Sequence, residues 1–174
     1  MMTAAPLLAG CTLEDLSRRS FADLEALYLA APEPASVLVL NGSPKGRMLA
    51  VRFLDNGMPH SFIAAIARLG VFPWEGKSFD ATTAHAGQGS NRIKLLKPTL
   101  NLFTFFTRID VSAIDGRPCI LLDYDQPGNP WVVRRIRDEL REVAPGLFLG
   151  PAMVKLRSGL VETILWFGID NNEI

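Results

Sequence analysis

Apolar and polar residues alternate with a period of two through much of the chain after residue 72. Residues 101–111 (NLFTFFTRIDV) are the clearest case. Phe103, Phe105, Ile109 and Val111 share one face, interrupted only by Thr107, and Leu102, Thr104, Phe106, Arg108 and Asp110 take the other. Residues 36–40, 46–54, 74–79, 91–96, 119–124, 147–149, 153–157 and 160–169 read as further strands. Turn residues punctuate them: Asn41-Gly42-Ser43-Pro44, Asp55-Asn56-Gly57, Asp115-Gly116 and Ser158-Gly159. The small-residue stretch 84–90 (AHAGQGS) reads as a loop without the spacing of a phosphate-binding motif.

A helical period shows in three places. Residues 12–31 predict one or two helices, with Ser20 and Asp23 spaced as a capping box and Pro32 and Pro34 as the stop; the expected role is a lid or plug at one end of a sheet. Residues 60–69 put Phe62, Ile63, Ile66 and Leu69 on one face, with Gly70 as the break. Residues 129–143 offer Asn129 as a cap, Pro130 at the first turn and an apolar stripe of Val132, Val133, Ile136, Leu140 and Val143. Arg134 with Asp138, and Arg135 with Glu139, then sit four apart on the solvent face, and Pro145-Gly146 ends the element.

Many short strands with few helices predict a mainly β fold: a closed antiparallel barrel with N-terminal and inserted helices, in one domain spanning residues 1–174. An α+β sandwich is the alternative. Barrels of about eight strands can hold one small ligand.

Composition narrows the partners. Eighteen basic residues balance eighteen acidic ones, which removes the electrostatic footprint of a nucleic-acid binder. No apolar run approaches the ~20 residues of a membrane-crossing helix. Leu8-Ala9-Gly10-Cys11 is spelled like a lipoprotein cleavage box, yet no Lys or Arg precedes it and the apolar stretch is short, so a cytoplasmic protein is expected. Cys11 and Cys119 read as two free thiols, and no spacing of ligands points to a metal or cofactor. A hydrophobic fraction of 48%, with ten Phe and three Trp, suits a large core or a core with an apolar hollow. The oligomeric state stays open, a homodimer included.

Four segments carry a resemblance: LEALYLAAPEP, GSPKGR, MPHSFIAAIARLGVFPWEGKSF and LDYDQPGNPWVVRRIRDELREVAPGLFLG. Their order resembles the GXWXG-domain family with its companion domain, which has a helix and proline break, a glycine-flanked segment, a His-containing loop, a W/Y-x-G-K-R-F run and a YD pair. At the signature itself this chain has Gly42-Ser43-Pro44-Lys45-Gly46, with proline where the family has tryptophan. The resemblance implies a lipocalin-like (calycin-like) barrel without an assigned activity. It carries over His60, Trp74, Gly76, Lys77, Phe79, Tyr124 and Asp125, none with a catalytic role.

Three readings of function follow. The first is a binding protein whose barrel encloses a small hydrophobic or aromatic molecule, with His60, Trp74, Lys77, Phe103, Phe105, Tyr124 and Trp166 as candidate contacts. The second is a cofactor-independent isomerase or cyclase. In a strand Asp123 and Asp125 share a face, so either could be the base, with Arg108 stabilising the negative charge that develops. The third is a structural or interaction protein with a filled core. A hollow without an ionisable group favours the first reading, and an aspartate buried beside Arg108 or Tyr124 favours the second.

Overall fold

A computed structural model describes residues 8–52, 74–94 and 99–172. The strands are β1 (Lys45–Val51), β2 (Trp74–Ala81), β3 (Ala86–Lys94), β4 (Thr99–Val111), β5 (Pro118–Asp123), β6 (Ile136–Ala144), β7 (Leu147–Lys155) and β8 (Val161–Asp170). Each pairs antiparallel with its neighbours in sequence, and β8 returns to pair with β1, which closes an eight-stranded barrel. The mainly β barrel expected from the alternating pattern is the fold observed.

The ring is uneven. β1 pairs with β8 from Lys45↔Asp170 to Val51↔Leu165, but its printed register with β2 is Lys45↔Gly76 alone. From Arg47 onward β1 has no β2 partner among the described residues.

There are two N-terminal helices, α1 (Leu13–Ser17) and α2 (Phe21–Ala30), and α2 begins as the sequence suggests. Thr12 with Asp15, and Ser20 with Asp23, form reciprocal capping boxes that satisfy backbone N–H groups left free in the first turn. Their position differs from the expected lid. Leu16, Leu24, Tyr28 and Ala31 pack on the outside of the wall against Val143, Ala144, Leu147, Leu149 and Trp166. Each fully buried leucine there contributes roughly 1.5–3 kcal/mol. The helices therefore cover β6, β7 and β8, and these strands are buried on both faces.

Residues 36–40 plug one end of the barrel instead, and not as a strand. Val37–Leu40 is a 3₁₀ turn in which the Ser36 hydroxyl accepts from the Leu38 N–H. Val37 and Leu40, three apart, then fall on one side and join the interior core. Two further expectations are corrected. The 84–90 stretch belongs largely to β3, because Gly89 lacks the Cβ that would run into the Phe105 ring and the Ser78 carbonyl on the flanking strands. Residues 147–149 and 153–157 are joined in one strand, β7, which runs through Pro151. The β6–β7 pairing keeps one register from Asp138↔Ala152 to Arg141↔Leu149 but has no pair at Pro151 or Gly150, so the proline, which has no N–H to donate, sits where the ladder is interrupted.

The largest correction concerns residues 129–143. Only Val133–Arg135 is helical, as a 3₁₀ turn, and Ile136 onward is β6. The spacing of Ile136, Leu140 and Val143 fits a helix only while the charged residues between them are taken as exposed. In the barrel Asp138, Glu139 and Arg141 are all buried, Asp138 facing inward and the other two outward beneath α2 and the 112–118 turn. The expected pairs Arg134–Asp138 and Arg135–Glu139 do not form: Arg134 binds Asp125 and Arg135 binds the Lys155 carbonyl. The helix expected over 60–69 lies outside the described residues.

Candidate functional site

The interior has two halves. Near the 3₁₀ plug it is filled by Phe79, Phe105, Ile120, Leu122, Leu140, Phe148 and Ile169. Toward Trp74 and Met48 a cavity of about 110 Å³ remains. Met48, Ile93, Phe103, Ile164, Leu165 and Phe167 supply apolar wall; Trp74, Lys77, Asn91, Tyr124 and Asp138 supply the polar part.

Two local features shape that wall. The β3–β4 register passes from Ser90↔Thr104 to Asn91↔Leu102, so Phe103 is an extra residue in β4, and it has a left-handed φ of 57°. Such a bulge re-aims a side chain at some cost in backbone strain. Here it presents Phe103 to the cavity. Gly46 does the same for Trp74: a Cβ at that position would collide with the indole, so only glycine lets the ring lie across β1.

The polar groups form one network. Lys77 Nζ donates to Asn91 Oδ1 at 2.9 Å, to Tyr124 Oη at 2.5 Å and to Asp138 Oδ2 at 3.0 Å. Tyr124 donates to Asp138 Oδ2 at 3.2 Å, and Asn91 Nδ2 donates to Tyr124 at 3.0 Å. Trp74 Nε1 donates to Asn91 Oδ1 at 3.2 Å. Lys77 is 3% exposed and Asp138 4%, so the pair is cut off from solvent. The ammonium also lies 5.0–5.5 Å from the centroids of Phe167, Tyr124, Phe105 and Trp74, where ring faces attract a cation. Burial pushes the Asp138 pKa up and the Lys77 pKa down, each opposed by the partner's charge. Burial, followed by the Asp138 charge, raises Tyr124 well above an ordinary phenol. One atom is left over: Asp138 Oδ1 is buried without a protein hydrogen-bond donor.

Of the residues anticipated as ligand contacts, Trp74, Lys77, Phe103 and Tyr124 line this cavity. Phe105 is packed in the filled half, edge to face with Tyr124 at 5.1 Å. Trp166 faces the other way. It is wholly buried under the helices, 5.5 Å from the Tyr28 ring, because it alternates with Leu165 and Phe167, which point inward. His60 lies outside the described residues.

The candidate catalytic group is not in the cavity. Asp123 and Arg108 do meet, at 3.2 Å, but on the outer face, and Asp125 pairs with Arg134 with both side chains about half exposed. Burial would lift the Asp123 carboxyl; the Asp125 N–H and the Arg108 guanidinium outweigh it and hold the group below its usual range. A base needs the opposite. The aspartate buried beside Tyr124 is Asp138, read from the sequence as one end of a helical ion pair. The signal that would have found it is Arg137-x-Glu139-x-Arg141: charges at period two place Asp138 alone on the opposite face of a strand.

No model of a known protein family matches the chain, and no curated protein matches it. Among solved structures the chain is similar to a protein from Thermomonospora curvata, with a TM-score of 0.54, 19% sequence identity and 87% of each chain covered. At that identity the likeness is one of fold. No helix among the described residues is long and apolar enough to cross a membrane, and no group of His, Cys, Asp and Glu among them is arranged to hold a metal.

Proposed function

We propose that this protein binds a small, mainly apolar molecule in the barrel cavity and orients it with the Lys77–Tyr124–Asp138 network. The observation that carries the reading is the coexistence, in one hollow, of a largely apolar wall and a buried polar cluster with an unpaired oxygen. Pockets of that make-up, apolar with a few convergent polar groups, are the usual form of a small-molecule site. Desolvating two charges costs several kcal/mol per ion before their attraction is counted, so stability alone is a weak reason for an ion pair beside a hollow. An aspartate buried beside Tyr124 is also the arrangement that favours an isomerase or cyclase, and in that second reading the base is Asp138, not Asp123 or Asp125.

Size sets the class of occupant. An engineered apolar cavity of ~150 Å³ takes up benzene. A hollow of about 110 Å³ therefore suits roughly one ring. The proposed kinship with GXWXG-domain proteins runs through the same place, because Trp74, Lys77 and Tyr124, three of the residues it carries over, stand in the cavity wall.

Native mass spectrometry of freshly purified full-length protein tests the reading. The expected result is a bound small molecule that leaves on denaturation and is absent from Ala152→Leu, whose larger side chain fills the hollow. If neither a co-purified species nor any single-ring compound binds the native protein, the proposal fails.

A further inference from the structure

Every donor of the Lys77 ammonium is used inside the network, on Asn91, Tyr124 and Asp138. The Tyr124 hydroxyl is spent on Asp138 Oδ2. That oxygen therefore takes two donors while Oδ1, on the same carboxylate, takes none. A buried acceptor without a donor costs about 1–3 kcal/mol, more when it is charged. The polar group still in want of a partner is thus an acceptor, and an occupant that brings a donor regains that energy.

We propose that the occupant carries a hydroxyl group, as a phenol or a small alcohol, and that the Asp138 carboxyl turns its Oδ1, enclosed in this structure, to accept from that hydroxyl. This deepens the ligand-binding reading and rests on it. Other chemistries fit worse. A carboxylate or phosphate would be driven off by the Asp138 charge. A ketone, ether or ester brings no donor to Oδ1. An organic cation would compete with Lys77, which already occupies the position among the four rings. A plain hydrocarbon fits the apolar wall but leaves Oδ1 as it is. A hydroxyl is neutral, small enough for the hollow and able to donate along a free lone pair of the carboxylate.

Phenol and toluene are nearly the same size, and toluene is the more apolar, so a merely greasy cavity prefers toluene. Isothermal titration of the full chain with each compound is the test. The expected result is phenol binding at least about tenfold tighter than toluene, because a site built around a hydrogen bond rejects the analogue that lacks it. In Lys77→Met/Asp138→Leu, where both charges go together and neither is left unpaired, the phenol-to-toluene ratio should fall to about one or below. Equal affinities in the native protein overturn the inference while leaving the binding reading intact. A phenol preference that survives the double substitution also overturns it, since Asp138 would not be what reads the hydroxyl. Binding of neither compound removes both.

Discussion

Asp138 and Glu139 are neighbours on β6, yet they belong to two buried polar clusters of opposite design. Glu139, on the outer face, accepts from Tyr28, Ser112, the Ala113 N–H and Arg137, two donors on each oxygen. Two residues on, Arg141 makes five hydrogen bonds, two to Asp115 and one each to the Tyr28, Pro118 and Arg117 carbonyls, and stacks on the Tyr28 ring at 4.4 Å. This outer cluster is complete, and it ties α2 and the 112–118 turn to the wall. Asp138, on the inner face, borders a cavity and keeps one oxygen unpaired. A finished network fastens elements together; an unfinished one beside a hollow awaits an occupant.

The sharpest way to break this comparison is to remove one cation from each cluster and then its counter-charge. Arg141→Met should cost about 3–5 kcal/mol, because it strands Asp115 and takes the charged donor from three main-chain carbonyls. Adding Asp115→Leu should recover little of that, since those carbonyls remain undersupplied. Lys77→Met alone should cost a similar 3–5 kcal/mol, whereas Lys77→Met/Asp138→Leu should return to the native value or exceed it by about 1–4 kcal/mol. Urea denaturation of the four variants gives the answer. Equal recovery in both pairs would mean that the clusters do not differ in kind.

Much of this was legible in the sequence, and the illegible part has a physical cause. The alternation in 101–111 and the turns at Asp115-Gly116 and Ser158-Gly159 marked a β fold because those strands face water on one side or end at tight turns. β6 was illegible because the helices bury its outer face as well. With both faces buried, a strand loses the polar-out signature that identifies it, and buried charges imitate the solvent face of a helix. The site was half legible for the same reason. Trp74, Lys77 and Phe103 lie on other strands and Tyr124 directly follows β5, and all four are among the expected contacts, Lys77 and Tyr124 through the resemblance; Asp138, on β6, is not. The 36–40 run misled differently, since four apolar residues in a row fit a strand or a buried turn equally well.

Acidity separates the clusters by sign and should have a smaller effect. The hydrogen bond from Arg141 holds Asp115 below an ordinary carboxyl despite its partial burial. A depressed folded pKa adds stability that is present above the unfolded value of 3.8 and is lost as pH falls through the folded one. Asp138 is raised by burial, so its effect runs the other way: stability is greatest below 3.8 and declines as pH rises through its folded pKa. Each unit of displacement is worth about 1.4 kcal/mol. Urea midpoints should therefore rise with pH less steeply in Asp115→Asn than in the native protein below pH 3.8, and fall less above it in Asp138→Asn. Slopes that do not change would detach these carboxyls from the clusters to which the geometry assigns them.

The smallest effect is expected where the sequence pointed first. Asp123 ends β5, and its neighbour Leu122, not Asp123, points into the barrel opposite Asp138. One residue along a strand is the whole difference between the cavity and the outer wall. Asp123→Asn breaks only the pair with Arg108, whose side chain is 45% exposed, and exposed pairs of this kind contribute about 0–1 kcal/mol. The same substitution should leave the phenol-to-toluene ratio as it is in the native protein. A change in that ratio comparable to the one expected at Asp138 would move the site out of the hollow and onto the outer face of β5.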